Sequence, residues 1–254
     1  MTYLAITAFA VMAFLLILFI NSIYFHHFMK KSLIVVLFFI LSFQSITYAQ
    51  PSETFKKKGY NLTFIETDTN FSKALKAKMV ETFFTVYPEL AKAYNKKTTK
   101  DVTFFIDTAY KGVAATSDAR VVFSYKYMMA HPNDIDVVTH EVMHIVQGYG
   151  YSAGPVWLTE GIADYVRAKF GVDNVGAGWK LPDYKPTQSY TNSYRITARF
   201  FIWIEKNVKP DFVKEVDVKL RNHTYTENTW KDETGKTLDE LWAAYSANPN
   251  LNMV

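Results

Sequence analysis

The chain has 254 residues, no cysteine, 20% charged and 49% hydrophobic side chains, a composition that excludes disordered, collagen-like and disulfide-framed proteins. Its formal charge is +4, but residues 1–49 hold Lys30, Lys31 and no acid, so the 28 basic residues less these two leave 26 against 24 acidic. A near-neutral remainder without a basic stripe or an aromatic RNA-binding pattern argues against nucleic acid as a partner.

Two apolar runs open the chain, Leu4 to Ile20 and Leu33 to Phe43, separated by His26-His27. The second has the grammar of a secretory signal over residues 29–49: Met29-Lys30-Lys31 as the charged start, an apolar core, and Thr47-Tyr48-Ala49 as a small-residue cleavage site before Gln50. On this reading residues 1–28 are an upstream extension. The competing reading keeps residues 4–20 as a membrane anchor, since about 17 to 20 apolar residues just span a bilayer. Either way the remainder is expected outside the cytoplasm, secreted or periplasmic, folding on its core alone.

Residues 50–60 are polar and read as a solvated linker ahead of one domain over 61–254. Asn61 to Ile65 reads as a strand. From Asn70, the positions Phe71, Leu75, Met79 and Phe83 recur at helical spacing, with Asn70 or Ser72 as cap and Pro88 as the stop. Val102 to Ile106 and Arg120 to Ser124 are β-branched or aromatic and read as two more strands. After Pro132-Asn133-Asp134 the pattern turns mostly helical. The class is α+β: a small sheet with a helix, then a largely helical half.

Asn133 or Asp134 caps a helix expected from Ile135 to Gln147 and stopped by Gly148. It carries His140-Glu-Val-Met-His144. Histidines four apart project from one helix face, a separation that suits two ligands of one tetrahedral zinc ion. Glu141 then stands beside the ion, where it can take a proton from a zinc-bound water. HExxH arises by chance in roughly one chain of this size in a hundred, so the downstream segment has to decide. The glycines 148, 150 and 154 can reverse the chain, and Pro155 can open a second helix. On that helix Glu160 would return toward the metal as third ligand. Asp164, four residues on, would accept the distal N–H of a ligating histidine. A zinc-binding pair followed by ExxxD is the arrangement of thermolysin-like peptidases. A metzincin site would need Gly at 147 and His at 150, where the chain has Gln147 and Gly150. A scheme with Asp164 as the ligand and Glu160 in another role stays open.

The runs HEVMHIVQGYG, WLTEGIADYVRAKFG, LPDY, SYTNSYRITARFFIWIE and TGKTLDELWAAY together resemble the basic secretory protein family, secreted plant proteins with bacterial relatives among the zincin peptidases. The likeness spans about Asn61 to Tyr245. It implies a zincin-like metallopeptidase fold of the glutamate-ligand kind, with His140, His144 and Glu160 on zinc and Glu141 as the base. The near-neutral charge of the trimmed chain departs from the family's name.

Oxyanion stabilisation in such a site requires a donor, and the sequence offers Tyr190, Tyr194, Arg195 and His223, of which Tyr194 in the family-like phrase is preferred. Arg199 reads as a residue that pairs with a carboxylate. Arg120 to Ser124 is either an ordinary core strand or the sheet edge that pairs with an extended substrate. Ile196, Phe200 and Trp203 form a core stripe. Thr237 to Glu240 is a capping box, with Trp242 behind it packing on the domain. The expectation is an exported peptidase that hydrolyses a peptide or protein substrate with one Zn2+ per chain, a membrane contact arising only through the N-terminus. The rival is a zinc-stabilised extracytoplasmic binding protein without turnover. Nothing in the sequence reports an oligomeric state.

Overall fold

The structure, a computed structural model, describes residues 51–251. Both N-terminal apolar runs and the cleavage position after Ala49 lie outside these residues. Among the described residues no helix is long and apolar enough to cross a membrane.

Five strands form one mixed sheet: β1 (Ser52–Lys57), β2 (Tyr60–Glu66), β3 (Asp101–Asp107), β4 (Ala114–Ser117) and β5 (Arg120–Ser124), in the order β1-β2-β3-β5-β4. β2, β3 and β5 run parallel, while both outer strands are antiparallel to their neighbours. The stretch expected to be a linker is therefore mostly strand. Lys57 pairs with Tyr60 across Lys58-Gly59, which have φ of 53° and 78°, the two-residue hairpin turn whose twist suits flanking strands. Read as a charge run, Lys56 to Lys58 concealed that turn. β1 is exposed and lysine-rich, as suits a free edge.

One sheet face is apolar: Leu62, Phe64, Val102, Phe104, Ile106, Val121 and Phe123 are all buried. Helix α1 (Lys73–Ala93) lies on that face and buries Leu75, Met79, Phe83, Tyr87 and Leu90. Ser72 is its cap, accepting from the Leu75 N–H at 3.3 Å. Pro88 does not end the helix. It removes one backbone donor, but the turns around it bury Tyr87, Leu90 and Ala91, and that apolar burial outweighs a single missing hydrogen bond.

A short helix α2 (Tyr125–Ala130) leads to α3 (Val137–Gln147), which is buried along almost its whole length. α3 starts two residues later than the sequence suggests, with Asp136 as cap. Asp134 is engaged elsewhere, accepting from the Tyr127 hydroxyl at 2.6 Å and from Arg167. The Asp136 carboxylate receives the Thr139 hydroxyl and the Val172 and Asp173 N–H groups at 2.6–2.8 Å.

The remaining helices are α4 (Val156–Phe170), α5 (Tyr194–Asn207), α6 (Phe212–Arg221), α7 (Thr229–Thr234) and α8 (Leu238–Ala247). Their shared core is aromatic, with Phe200, Phe201, Phe212, Trp230 and Tyr245 fully buried. Trp242 packs edge-on against Phe200 at 5.1 Å. Thr237 and Glu240 form the expected capping box, with bonds of 3.2 and 2.7 Å. Arg199 donates to the Pro249 carbonyl at 3.1 Å, and the nearest ion-pair partner, the exposed Asp183, is 4.0 Å away. It therefore anchors the C-terminal tail more than it holds a carboxylate.

Candidate metal centre

α3 ends at Gly148, whose φ of 52° is left-handed. The loop that follows brings α4 back across α3, with Pro155 at its cap. Glu160 stands in the second turn of α4. α5 packs on the other side, and Gly161 permits it: a Cβ there would lie 2.4 Å from Thr197 Cγ2. The close approach of α4 and α5 is thus written into one missing methyl group beside Glu160.

His140 Nε2 and His144 Nε2 are 3.2 Å apart, and Glu160 Oε2 lies 3.2 Å from the first and 3.5 Å from the second. Bonds of about 2.1 Å to a tetrahedral zinc ion imply ligand atoms separated by about 3.4 Å. The three side chains therefore fit such an ion without rearrangement. Each ring also has an acceptor behind it: Asp164 Oδ1 lies 2.7 Å from His140 Nδ1, and Gln147 Oε1 lies 2.7 Å from His144 Nδ1. Acceptors at both Nδ1 atoms hold protons there and leave both Nε2 atoms as the nitrogens that would meet a metal ion at the common centre.

The electrostatics agree with the geometry. Burial opposes a charge on His140, but hydrogen bonds to Asp164 and Glu160 and the charges of Asp164 and Glu141 lift its pKa to about 10. Burial likewise opposes ionisation of Glu160, yet the bonds and charges of His140 and His144 hold its carboxyl well below the usual carboxylate range. Such a field stabilises positive charge at the centre, whether proton or metal ion.

Glu141 faces the same cleft. The Thr116 hydroxyl of β4 donates to its Oε2 at 2.7 Å and lies 3.1 Å from its carbonyl oxygen. β4, and not β5, is the sheet edge at the site: β5 is enclosed by β3 and β4. The Ser124 N–H donates to the Val113 carbonyl at 2.9 Å, and Ala115 and Ser117 stand opposite Val122 and Arg120. In an antiparallel ladder alternate residues bond to the partner, so Ala114 and Thr116 turn their N–H and C=O groups away from β5, the Ala114 carbonyl accepting from the Tyr110 hydroxyl at 3.2 Å. That edge, His140, Glu141, His144, Glu160 and Tyr194 line one cleft of about 1250 Å³.

The Tyr194 ring lies nearly parallel to that of His140, with centroids 6.1 Å apart. Burial, with the charges of Glu160, Asp164 and Glu141, raises its pKa, so its hydroxyl keeps its proton and can donate. Ser193 and Tyr194 both have left-handed φ, 65° and 49°, a strain that costs of order 1–3 kcal/mol each and clusters at functional sites.

The sequence profile of a family described as peptidases of plants and bacteria matches residues 46–245. The chain belongs to this family. No curated protein matches it closely enough to add to that. Among solved structures, a two-domain M1 zinc metallopeptidase with bound tryptophan superposes with a TM-score of 0.50 at 11% identity, over 78% of this chain and 51% of its own. An aminopeptidase N family protein from Idiomarina loihiensis gives a TM-score of 0.48 at 10% identity, over 77% and 46%. The chain thus spans about half the length of these proteins, and the former likeness shows the fold: that of the zincin metallopeptidases.

In this family member the structure brings His140, Glu141, His144, Glu160, Asp164, Tyr194 and Arg195 to one cleft. Tyr190 is engaged elsewhere, its hydroxyl donating to Asp239 at 2.9 Å, and His223 is not among the cleft residues. Sequence reasoning missed Thr116, because the β4 hairpin carries no strong strand pattern. It also missed Gln147, although a residue three positions after His144 shares its helix face.

Proposed function

We propose that this peptidase is zinc-dependent and exported, and that it hydrolyses peptide bonds of an extended peptide or protein substrate with Glu141 as the general base. The observation that carries the reading is the trio His140 Nε2, His144 Nε2 and Glu160 Oε2, all within 4.8 Å of one another, with a carboxylate from the adjacent residue of α3 facing the same cleft. These three residues would hold one zinc ion per chain, and the ion when bound would supply Lewis acidity toward a carbonyl oxygen and acidify water. Asp164 would fix the His140 tautomer.

The open edge of β4 is suited to receive a substrate strand through the Ala114 N–H and the main-chain groups of Thr116. That pairing would lay the scissile carbonyl beside α3. Glu141 takes a proton from the attacking water as the C–O bond forms, then returns it to the amine as the C–N bond breaks. The Tyr194 hydroxyl, protonated and at the cleft wall, donates to the oxyanion. Glu141→Gln keeps the size of the side chain and removes the base. Zinc content should stay at one per chain while kcat falls by about 10²–10⁴; hydrolysis at the wild-type rate would overturn the mechanism.

Export is proposed from the signal grammar of residues 29–49. N-terminal sequencing of the exported chain should begin at Gln50; a longer chain retaining residues 4–20 would instead support a membrane anchor.

A further inference from the structure

Gln147, the last residue of α3, is only 1% exposed. Its Nε2 donates to the Thr159 carbonyl at 3.0 Å, and its Oε1 lies 2.7 Å from His144 Nδ1. The two contacts leave the amide one orientation. A backbone carbonyl only accepts, so the NH2 group faces Thr159 and the oxygen faces His144. An amide oxygen also only accepts, so His144 carries a proton on Nδ1 and leaves Nε2, 3.5 Å from Glu160 Oε2, as the nitrogen available to the ion. Thr159 immediately precedes Glu160, so the same side chain ties α3 to α4 next to the third candidate ligand.

We infer that Gln147 is a positioning residue of the metal centre: it sets the tautomer of His144 and holds the two ligand-bearing helices in register. The inference rests on reading His140, His144 and Glu160 as metal ligands. A residue that merely filled space at this point could be replaced by methionine, which matches glutamine in length and lacks both polar groups. Glutamate separates the two bonds, since it still accepts from Nδ1–H but cannot donate to Thr159.

The test is the zinc affinity of the purified chain, measured by competition with a chromophoric chelator, for wild type, Gln147→Met and Gln147→Glu, alongside the melting temperature of each zinc-free protein. Gln147→Met should bind zinc about 10–100-fold more weakly, and Gln147→Glu, which loses only the bond to Thr159, about 3–10-fold more weakly. Wild-type affinity in Gln147→Met overturns the inference, and an equal loss in both variants overturns the tautomer assignment. A wild-type chain that binds no zinc overturns the ligand reading itself. Nitrogen-15 NMR of the zinc-loaded wild type needs no variant: a proton on His144 Nδ1 is expected, and one on Nε2 would overturn the assignment.

Discussion

Thr116 on the edge strand and Glu141 on α3 are joined by a 2.7 Å hydrogen bond from hydroxyl to carboxylate. One residue thereby shares the two partners that the proposed reaction must align, because its backbone faces the open edge while its side chain holds the base. A hydrogen bond to a charged group contributes about 1.5–3 kcal/mol. Thr116→Val keeps the shape and removes the donor; kcat should fall roughly 10–100-fold with KM and zinc content unchanged. Thr116→Ser should restore most of it. Steady-state kinetics on a peptide substrate decide the point, and an unchanged kcat in the valine variant would remove Thr116 from the mechanism.

Glu160 and Asp164 occupy one helix face but meet His140 at different nitrogens, Nε2 at 3.2 Å and Nδ1 at 2.7 Å. Glu160→Ala should abolish stoichiometric zinc. Asp164→Ala should keep the ligands and weaken binding about 10–100-fold. Elemental analysis after dialysis, followed by chelator competition, distinguishes the two; the reverse order would make Asp164 the ligand.

Gly161→Ala places a methyl 2.4 Å from Thr197 Cγ2 and 3.2 Å from Phe201. Both neighbours are buried in the α4–α5 contact, so relief requires the helices to move. A loss of about 1–3 kcal/mol is expected, with a drop in zinc affinity because Glu160 rides on the displaced helix. Urea denaturation of the zinc-free chain measures the first quantity separately from the second.

Alkaline pH should unfold the protein through its buried phenols. Tyr87 is fully buried, donates to the Thr99 carbonyl at 2.9 Å, and has its pKa pushed by burial from 10.0 to about 12. Tyr225 shifts likewise to about 12. Above pH 10 the unfolded chain loses these protons and the folded chain keeps them, so stability is complete below about pH 10 and is lost as pH rises through about 12. Tyr87 alone accounts for about 2–3 kcal/mol over that interval. Melting temperature against pH should fall less steeply in Tyr87→Phe, and parallel curves for the two proteins would refute the assignment.

Much of the fold was legible because its signals are local. The apolar spacing of Leu75, Met79 and Phe83 marks α1, the β-branched run at Val102 marks β3, and Gly148 marks the end of α3. The spacing of His140 and His144 and the later ExxxD likewise rest on helical periodicity alone. What the sequence could not show depends on partners remote in the chain. Lys58-Gly59 becomes a turn only once β1 pairs with β2, and Pro88 stays helical only because its neighbours are buried. Of four candidate donors the sequence prefers Tyr194, but only packing turns Tyr194 and Arg195 to the cleft and Tyr190 toward Asp239.

The sequence by itself therefore determined the residue types of the site and the two helices that carry them, since a residue's place on a helix follows from counting. Only the tertiary structure decided that Glu160 faces the Nε2 pair while Asp164 backs His140, that Thr116 reaches Glu141 from 25 positions away, and that Gln147 bridges His144 and Thr159. Those relations depend on how α3, α4 and β4 lie against one another, which is set by the burial of their apolar faces, and on no local pattern.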